Sequence, residues 1–185
     1  MSPLTNDEKG FLLRLARTSL HAAVSRLRAE APAVVPGALE EPGSAFVTLH
    51  QHAALRGCVG YLGSRYPLYK TVMEAAAAAA LRDTRFAPVT PDEIATLEVE
   101  ISVLSVFQET SADEIQVGVH GLVVSLGAAR GLLLPQVAVE RNWDVVRFLE
   151  ETCRKAGLPP RAWREGARIE VFTAEVFGEG ALGVG

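Results

Sequence analysis

The segment Leu97-Glu98-Val99-Glu100-Ile101-Ser102-Val103 decides the fold class. Apolar and polar side chains alternate along it, so the apolar ones face one way and Glu98, Glu100 and Ser102 face the other. A strand with one buried and one wet face is typical of an antiparallel sheet. We therefore predict a half-buried strand over 97–107 in such a sheet.

Similar patterns on both sides of this segment predict the other elements. Val, Thr, Leu and Phe are frequent in the further strand segments, which are 44–51, 54–62, 117–126, 131–134 and 168–177. Apolar residues at helical spacing predict helices over 5–30, 67–82 and 142–156. The first helix opens with a capping box at Thr5 and Glu8, and the last is capped by Asn142 or the residue before it.

The order of these segments predicts an α+β fold, a mostly antiparallel mixed sheet packed with helices, because the strands do not alternate regularly with helices. The positions expected to be buried are Val99, Ile101, Val103, Leu122, Val124, Leu133, Val146, Leu149 and Val171. Cys153 is expected on the buried side of the last helix, in the protein core. A length of 185 residues predicts one domain over 1–185.

Composition argues against several classes of function. The net charge is −4 without a basic block, which argues against nucleic-acid binding. No apolar run approaches the ~20 residues of a membrane span, and the first residues lack the pattern of a secretory signal. Two widely separated cysteines then predict reduced thiols in a cytoplasmic protein.

The stretch Leu55-Arg56-Gly57-Cys58-Val59-Gly60 is the strongest candidate site. In a regular strand Arg56 and Cys58 project from the same face, and a neighbouring guanidinium favours the thiolate. Gly57 and Gly60 would leave the sulfur accessible to a ligand. The alternative is a buried structural cysteine, which is equally well supported.

Three further polar residues are candidates. His120, inside a predicted inner strand, is the best candidate base, although a satisfied core histidine is the more frequent case. Gln136 and Glu140 follow a strand end, where polar groups can converge on a ligand. Glu140 could equally be a structural partner of an arginine or of a helix N-terminus.

Metal binding and phosphate binding have no motif in the sequence. We find no C-x-x-C, no H-x-x-x-H and no phosphate loop, so no metal site is predicted and the cofactor is unknown. A metal site made of Cys, His and Glu side chains that the fold brings together stays open as an alternative.

A series of short motifs is spread over nearly the whole chain. They are Phe46-Val47-Thr48-Leu49, Leu55-Arg56-Gly57-Cys58-Val59-Gly60, Asp83-Thr84-Arg85-Phe86-Ala87-Pro88, His120-Gly121-Leu122, Leu133-Leu134-Pro135-Gln136-Val137-Ala138, Trp143-Asp144, Lys155-Ala156-Gly157-Leu158, Trp163 and Ala174-Glu175-Val176-Phe177. In this set the chain resembles the AMMECR domain family. Val59 stands where isoleucine is common.

The resemblance implies one compact unit of two unequal sub-structures, with the Arg-Gly-Cys stretch beside a cleft between them, where we expect a small-molecule ligand. Short prokaryotic members look like protein A of a three-part system with a MEMO-type protein and a radical SAM enzyme. The chain itself has two cysteines, too few for the three-cysteine cluster of a radical SAM enzyme.

Two functions follow as hypotheses. In the first, the chain is a small-molecule enzyme with Cys58 as nucleophile, Arg56 as its activating cation, and His120 or Glu140 as base. In the second, it is a non-catalytic accessory domain that binds a ligand, or a MEMO-type or radical SAM partner, through the same groove. Arg56, Gly57, Gly60 and Gln136 would contact the ligand in either.

Overall fold

The structure is a computed structural model that describes residues 3–63 and 65–182, without the side chains of residues 181 and 182. Helices and strands follow one another as α1 (Asn6–Val24), β1 (Ser44–Gln51), β2 (Ala54–Tyr61), α2 (Leu68–Leu81), β3 (Leu97–Leu104), β4 (Gln108–Glu109), β5 (Gly121–Leu126), β6 (Ala129–Leu133), α3 (Pro135–Glu140), α4 (Val145–Lys155), β7 (Arg168–Phe172), β8 (Ala174–Gly178) and α5 (Glu179–Leu182). A 3-10 helix spans Pro91–Thr96. The predicted α+β class is confirmed.

The chain forms two compact units. The inserted unit is Leu104–Ala174, and the split unit consists of the described residues up to Val103 together with those from Glu175. The split unit holds a four-stranded sheet in the order β2-β1-β3-β8, and the inserted unit holds one in the order β4-β7-β5-β6. The expectation of one sheet was therefore wrong, because strands that looked alike in sequence divide between two.

The split unit has its core between the sheet and the helices α1 and α2. Val47 and Leu49 of β1 are fully buried there, as are Val72, Ala75 and Ala76 of α2. The alanines of α2 allow its backbone to approach the sheet closely. In the inserted unit, α4 packs on β5 and β6 through Phe148, Leu149 and Cys153, which confirms the core position of Cys153.

Several predicted boundaries were wrong for local reasons. Helix α1 ends at Val24 because Arg26 has a φ of 58°, a left-handed conformation that stops a helix. Helix α4 starts at Val145 under an Asp144 cap, since Asn142 has a φ of 52°. The predicted strand over 168–177 is two strands, β7 and β8, in different sheets.

Most predicted core positions are confirmed. Those that are buried are Val99, Ile101, Val103, Leu122, Val124, Leu149 and Val171. Leu133 is half-buried, and Val146, with 41% of its surface exposed, was wrongly placed in the core. Ser102 is also buried, so the wet face of β3 ends before it. Among the described residues no helix is long and apolar enough to cross a membrane.

Candidate functional site

The pairing of β1 with β2 determines where Cys58 faces. Thr48 lies opposite Cys58 and Phe46 lies opposite Gly60 in this antiparallel pair. Because the neighbouring β1 residues Val47 and Leu49 are buried against the helices, side chains of the alternate positions lie on the other face of the sheet. We call the surface formed by Phe46, Thr48, Cys58 and Gly60 the outer face.

Arg56 interrupts this regular pairing. The register shifts between Leu49, which pairs with Gly57, and His50, which pairs with Leu55, so Arg56 has no partner in β1. Such a bulge changes the direction in which a side chain leaves its strand. The regular pairing is thus interrupted at Arg56, and the expectation that Arg56 and Cys58 project from one face stays a prediction.

The Arg56 guanidinium binds the loop after α2 and the 3-10 helix that follows it. Its Nε and Nη2 donate to the two carboxylate oxygens of Glu93 at 2.8 and 3.1 Å, and Nη1 donates to the carbonyl of Ala87 at 2.9 Å. These hydrogen bonds from Arg56, with a further one from the Thr90 backbone N–H, lower the pKa of Glu93 to about 2. The proposed activation of Cys58 by Arg56 stays a prediction, and these contacts do not support it.

A different cation contacts Cys58. Nη2 of Arg85 donates to the Cys58 carbonyl at 3.3 Å, while the Cys58 N–H donates to the Asp83 carboxylate at 2.8 Å. Since β2 lies at the edge of its sheet, Asp83 and Arg85 bind the two main-chain groups of Cys58 that a further strand would otherwise bind. The main chain of Cys58 is thereby fixed on the side away from β1.

Asp83 and Arg85 also bind each other. Arg85 donates from Nε and Nη2 to the two carboxylate oxygens at 2.9 and 2.7 Å, a bidentate pair. These bonds, with the one from the Cys58 N–H, hold the pKa of Asp83 well below its usual range although burial acts in the opposite direction. Asp83 also raises the pKa of Arg85, and the Cys58 thiol adds to this effect.

The thiol itself is partly accessible. Cys58 is half-buried, and the Thr48 hydroxyl donates to its Sγ at 3.4 Å. Cys153, by contrast, is completely buried, and this burial raises the pKa of its thiol. The outer face thus presents the more accessible of the two sulfurs on a fixed main chain.

Gly57 and Gly60 are required by packing. A Cβ at Gly57 would lie 2.3 Å from the Ala79 carbonyl oxygen of α2, and one at Gly60 would lie 2.2 Å from the Phe46 ring. Contact of these glycines with a ligand stays a prediction, whereas their close approach to helix and ring is a feature of the fold.

The other candidates belong to the inserted unit. His120 lies in the turn before β5 and not inside the strand as predicted, and its Nδ1 accepts from the Gln116 N–H at 3.2 Å. Gln136 lies in the first turn of α3 and Glu140 at its end, where Glu140 is exposed. Since Cys58 is in the split unit, assembly of these residues into one site with it stays a prediction.

Sequence reasoning missed Thr48, Asp83, Arg85 and Glu93. The signal for two of them was the Asp83-x-Arg85 spacing directly after a predicted helix, and for Glu93 it was the capping box with Thr90. Over the part of the chain that the structure describes, no group of three or more His, Cys, Asp or Glu side chains is arranged to hold a metal ion.

Comparison with known proteins places the chain. The AMMECR1 family model matches residues 13–177. The chain belongs to the AMMECR1 family. Protein PF1979 of Pyrococcus furiosus is 46% identical over 187 residues, covering 94% of this chain and 89% of that protein. Protein TK0174 of Thermococcus kodakarensis is 44% identical, covering 94% of this chain and 91% of that protein.

A solved structure gives the same result for the fold. The crystal structure of uncharacterized protein PH0010 from Pyrococcus horikoshii matches with a TM-score of 0.88 at 40% identity, covering 95% of this chain and 93% of that chain. The resemblance inferred from the motifs is thus confirmed. A single AMMECR-type domain over 1–185 stays a prediction.

Proposed function

We propose that this AMMECR1-family protein binds a small molecule on the outer face, against the Cys58 thiol. The observation that carries the proposal is a fixed main chain beneath an accessible sulfur. Asp83 and Arg85 bind the Cys58 N–H and carbonyl, and Sγ accepts a hydrogen bond from the Thr48 hydroxyl. A ligand-binding group held in one place loses little conformational entropy when its ligand binds.

Binding is favoured over turnover by the groups around the sulfur. Among the described residues of the split unit, no imidazole or carboxylate lies within hydrogen-bond distance of Sγ to take its proton. Catalysis with Cys58 as nucleophile and His120 or Glu140 as base is the second candidate, which the accessibility of the thiol favours. The evidence needed for this second candidate is a measured turnover that the Cys58→Ser variant loses although it still folds.

The first experiment measures thiol accessibility. Native protein is treated with the neutral reagent iodoacetamide, and labelling of each cysteine is followed by peptide mass spectrometry. We expect Cys58 to react at least tenfold faster than the completely buried Cys153, since reaction of Cys153 requires local opening of the core. In 6 M urea both should react at similar rates, and Cys58→Ser should remove the fast phase. Equal, slow labelling of both thiols in the native protein would contradict the proposal.

A role as an accessory domain is included in this proposal. A MEMO-type protein or a radical SAM enzyme would supply chemistry that this chain does not carry, in the cytoplasm, where both cysteines stay reduced. Titration of each purified candidate partner into the native chain, with Cys58→Ser as the matched variant, tests this by calorimetry. Equal affinity for both chains would show that the partner does not use the thiol.

A further inference from the structure

We infer that the outer face selects a small anion, whose carboxylate or phosphate group binds the Nη1 edge of Arg85 beside the Cys58 thiol. This inference rests on the proposed function and adds the chemical class of the ligand. It also assigns to Arg85 the role of a ligand-binding residue.

The guanidinium of Arg85 has more donors than protein acceptors. Nε and Nη2 donate to Asp83, and Nη2 also donates to the Cys58 carbonyl. Across residues 3–63 and 65–182, Nη1 has no acceptor within hydrogen-bond distance, so its two N–H groups remain available to a ligand. Each of these N–H groups can donate one charge-assisted hydrogen bond to an oxygen of a carboxylate or phosphate.

The same contacts hold the guanidinium in place. Asp83 binds one edge in a bidentate manner, and the Phe86 ring lies 5.5 Å from the guanidinium carbon in a cation–π contact. The edge that carries Nη1 is therefore fixed before a ligand arrives. An anion bound there would lie beside Cys58, because Nη2 of the same guanidinium donates to the Cys58 carbonyl and the thiol is close enough to raise the pKa of Arg85.

Differences in exposure give the pair a positive surface although its formal charge is zero. The Asp83 side chain is 6% exposed, whereas the Arg85 side chain is 57% exposed. A solute that approaches from water meets the guanidinium, while the carboxylate is covered by the groups that bind it. Glu93 is bound by Arg56 in the same bidentate way.

Two alkylating reagents of the same shape test the charge. Iodoacetate carries a carboxylate and iodoacetamide is neutral, and both react alike. The Cys58 sulfur forms a C–S bond as the C–I bond breaks, iodide leaves with the electron pair, and the thiol proton passes to buffer. The ratio of the two rates at Cys58 removes effects of thiol ionisation and exposure, which both reagents share.

We expect Arg85→Gln to lower the iodoacetate-to-iodoacetamide ratio about three- to tenfold at low ionic strength, the range for one charge in contact at the surface. Arg85→Lys should retain most of the ratio, because the charge remains. Salt at 1 M should reduce the difference between the wild type and Arg85→Gln. The matched control is Arg82→Gln, which removes an arginine that is 58% exposed and paired with Glu74. This change should leave the ratio unaltered.

The outcomes separate the two proposals. If iodoacetamide labels Cys58 rapidly but the ratio is the same in the wild type and Arg85→Gln, the anion site is refuted and the proposed binding face survives. If neither reagent labels Cys58, both fail. If Arg85→Gln loosens the edge of β2, the iodoacetamide rate rises, and the normalised ratio together with Arg85→Lys still decides whether charge matters.

Discussion

Replacement of Gly57 by alanine should destabilise the protein without removing any polar contact. The new Cβ would lie 2.3 Å from the Ala79 carbonyl oxygen, whereas ordinary contact begins at 3.4 Å. Strand β2 and helix α2 must therefore separate locally by roughly 1 Å, which opens the tightly packed alanine face of α2.

The size of the effect follows from which atoms collide. Overpacking in a core costs about 1–3 kcal/mol, and the upper end applies where the obstacle is helix backbone, which cannot change rotamer. We expect a loss of about 3 kcal/mol for Gly57→Ala. Gly60→Ala meets the half-buried Phe46 ring, a side chain with freedom to turn, and should cost about 1 kcal/mol.

Urea denaturation followed by circular dichroism measures both losses. The matched control is Gly37→Ala, because a Cβ at Gly37 meets nothing within 4 Å. That change should be neutral or stabilising by about 0.5 kcal/mol through the unfolded chain. Equal stability of the Gly57→Ala and Gly37→Ala variants, with unchanged m-values, would refute the close approach of β2 and α2.

Two further predictions concern packing and pH. Leu149→Ala should lower the free energy of unfolding by about 2–5 kcal/mol, because the Leu149 side chain is fully buried. Val146→Ala in the same helix should lower it by under about 0.5 kcal/mol. The reverse order in a melting series would contradict the assignment of the buried face of α4. Glu93 has a folded pKa of about 2 against 4.5 ordinarily, so the stability it contributes is present above pH ~4.5 and is lost as the pH falls towards 2. Glu93→Gln should therefore flatten the decline of the urea midpoint over that range, and an unchanged slope would show that the ion pair with Arg56 does not form.

The elements that sequence predicted well are those whose determinants are local. Alternation over 97–103 located β3, Pro67 preceded α2, and the Thr5–Glu8 capping box started α1. Alternation shows which face of a strand is buried but not which strand lies beside it. For this reason the division of 168–177 at Thr173, between two sheets, had no signal in the sequence.

The sequence predicted Cys58 as the centre of the candidate site, but it did not predict the residues that contact Cys58. Cys58 was identified from its neighbours along the chain, but the bulge at Arg56 depends on pairing with β1, which a strand pattern does not contain. The contact of Asp83 with the Cys58 N–H spans 25 positions and depends on how the chain returns after α2. Contacts of this kind come from tertiary structure, and no local rule specifies them.

The split unit has a consequence for biosynthesis. Its strand β8 begins where Leu104–Ala174 ends, so β3 lacks this neighbour until the intervening residues have been translated. At the usual rate of synthesis this delay lasts roughly 4 to 14 s, long compared with the folding of a small domain. Throughout this interval the earlier unit has an open sheet edge, which can pair with another chain.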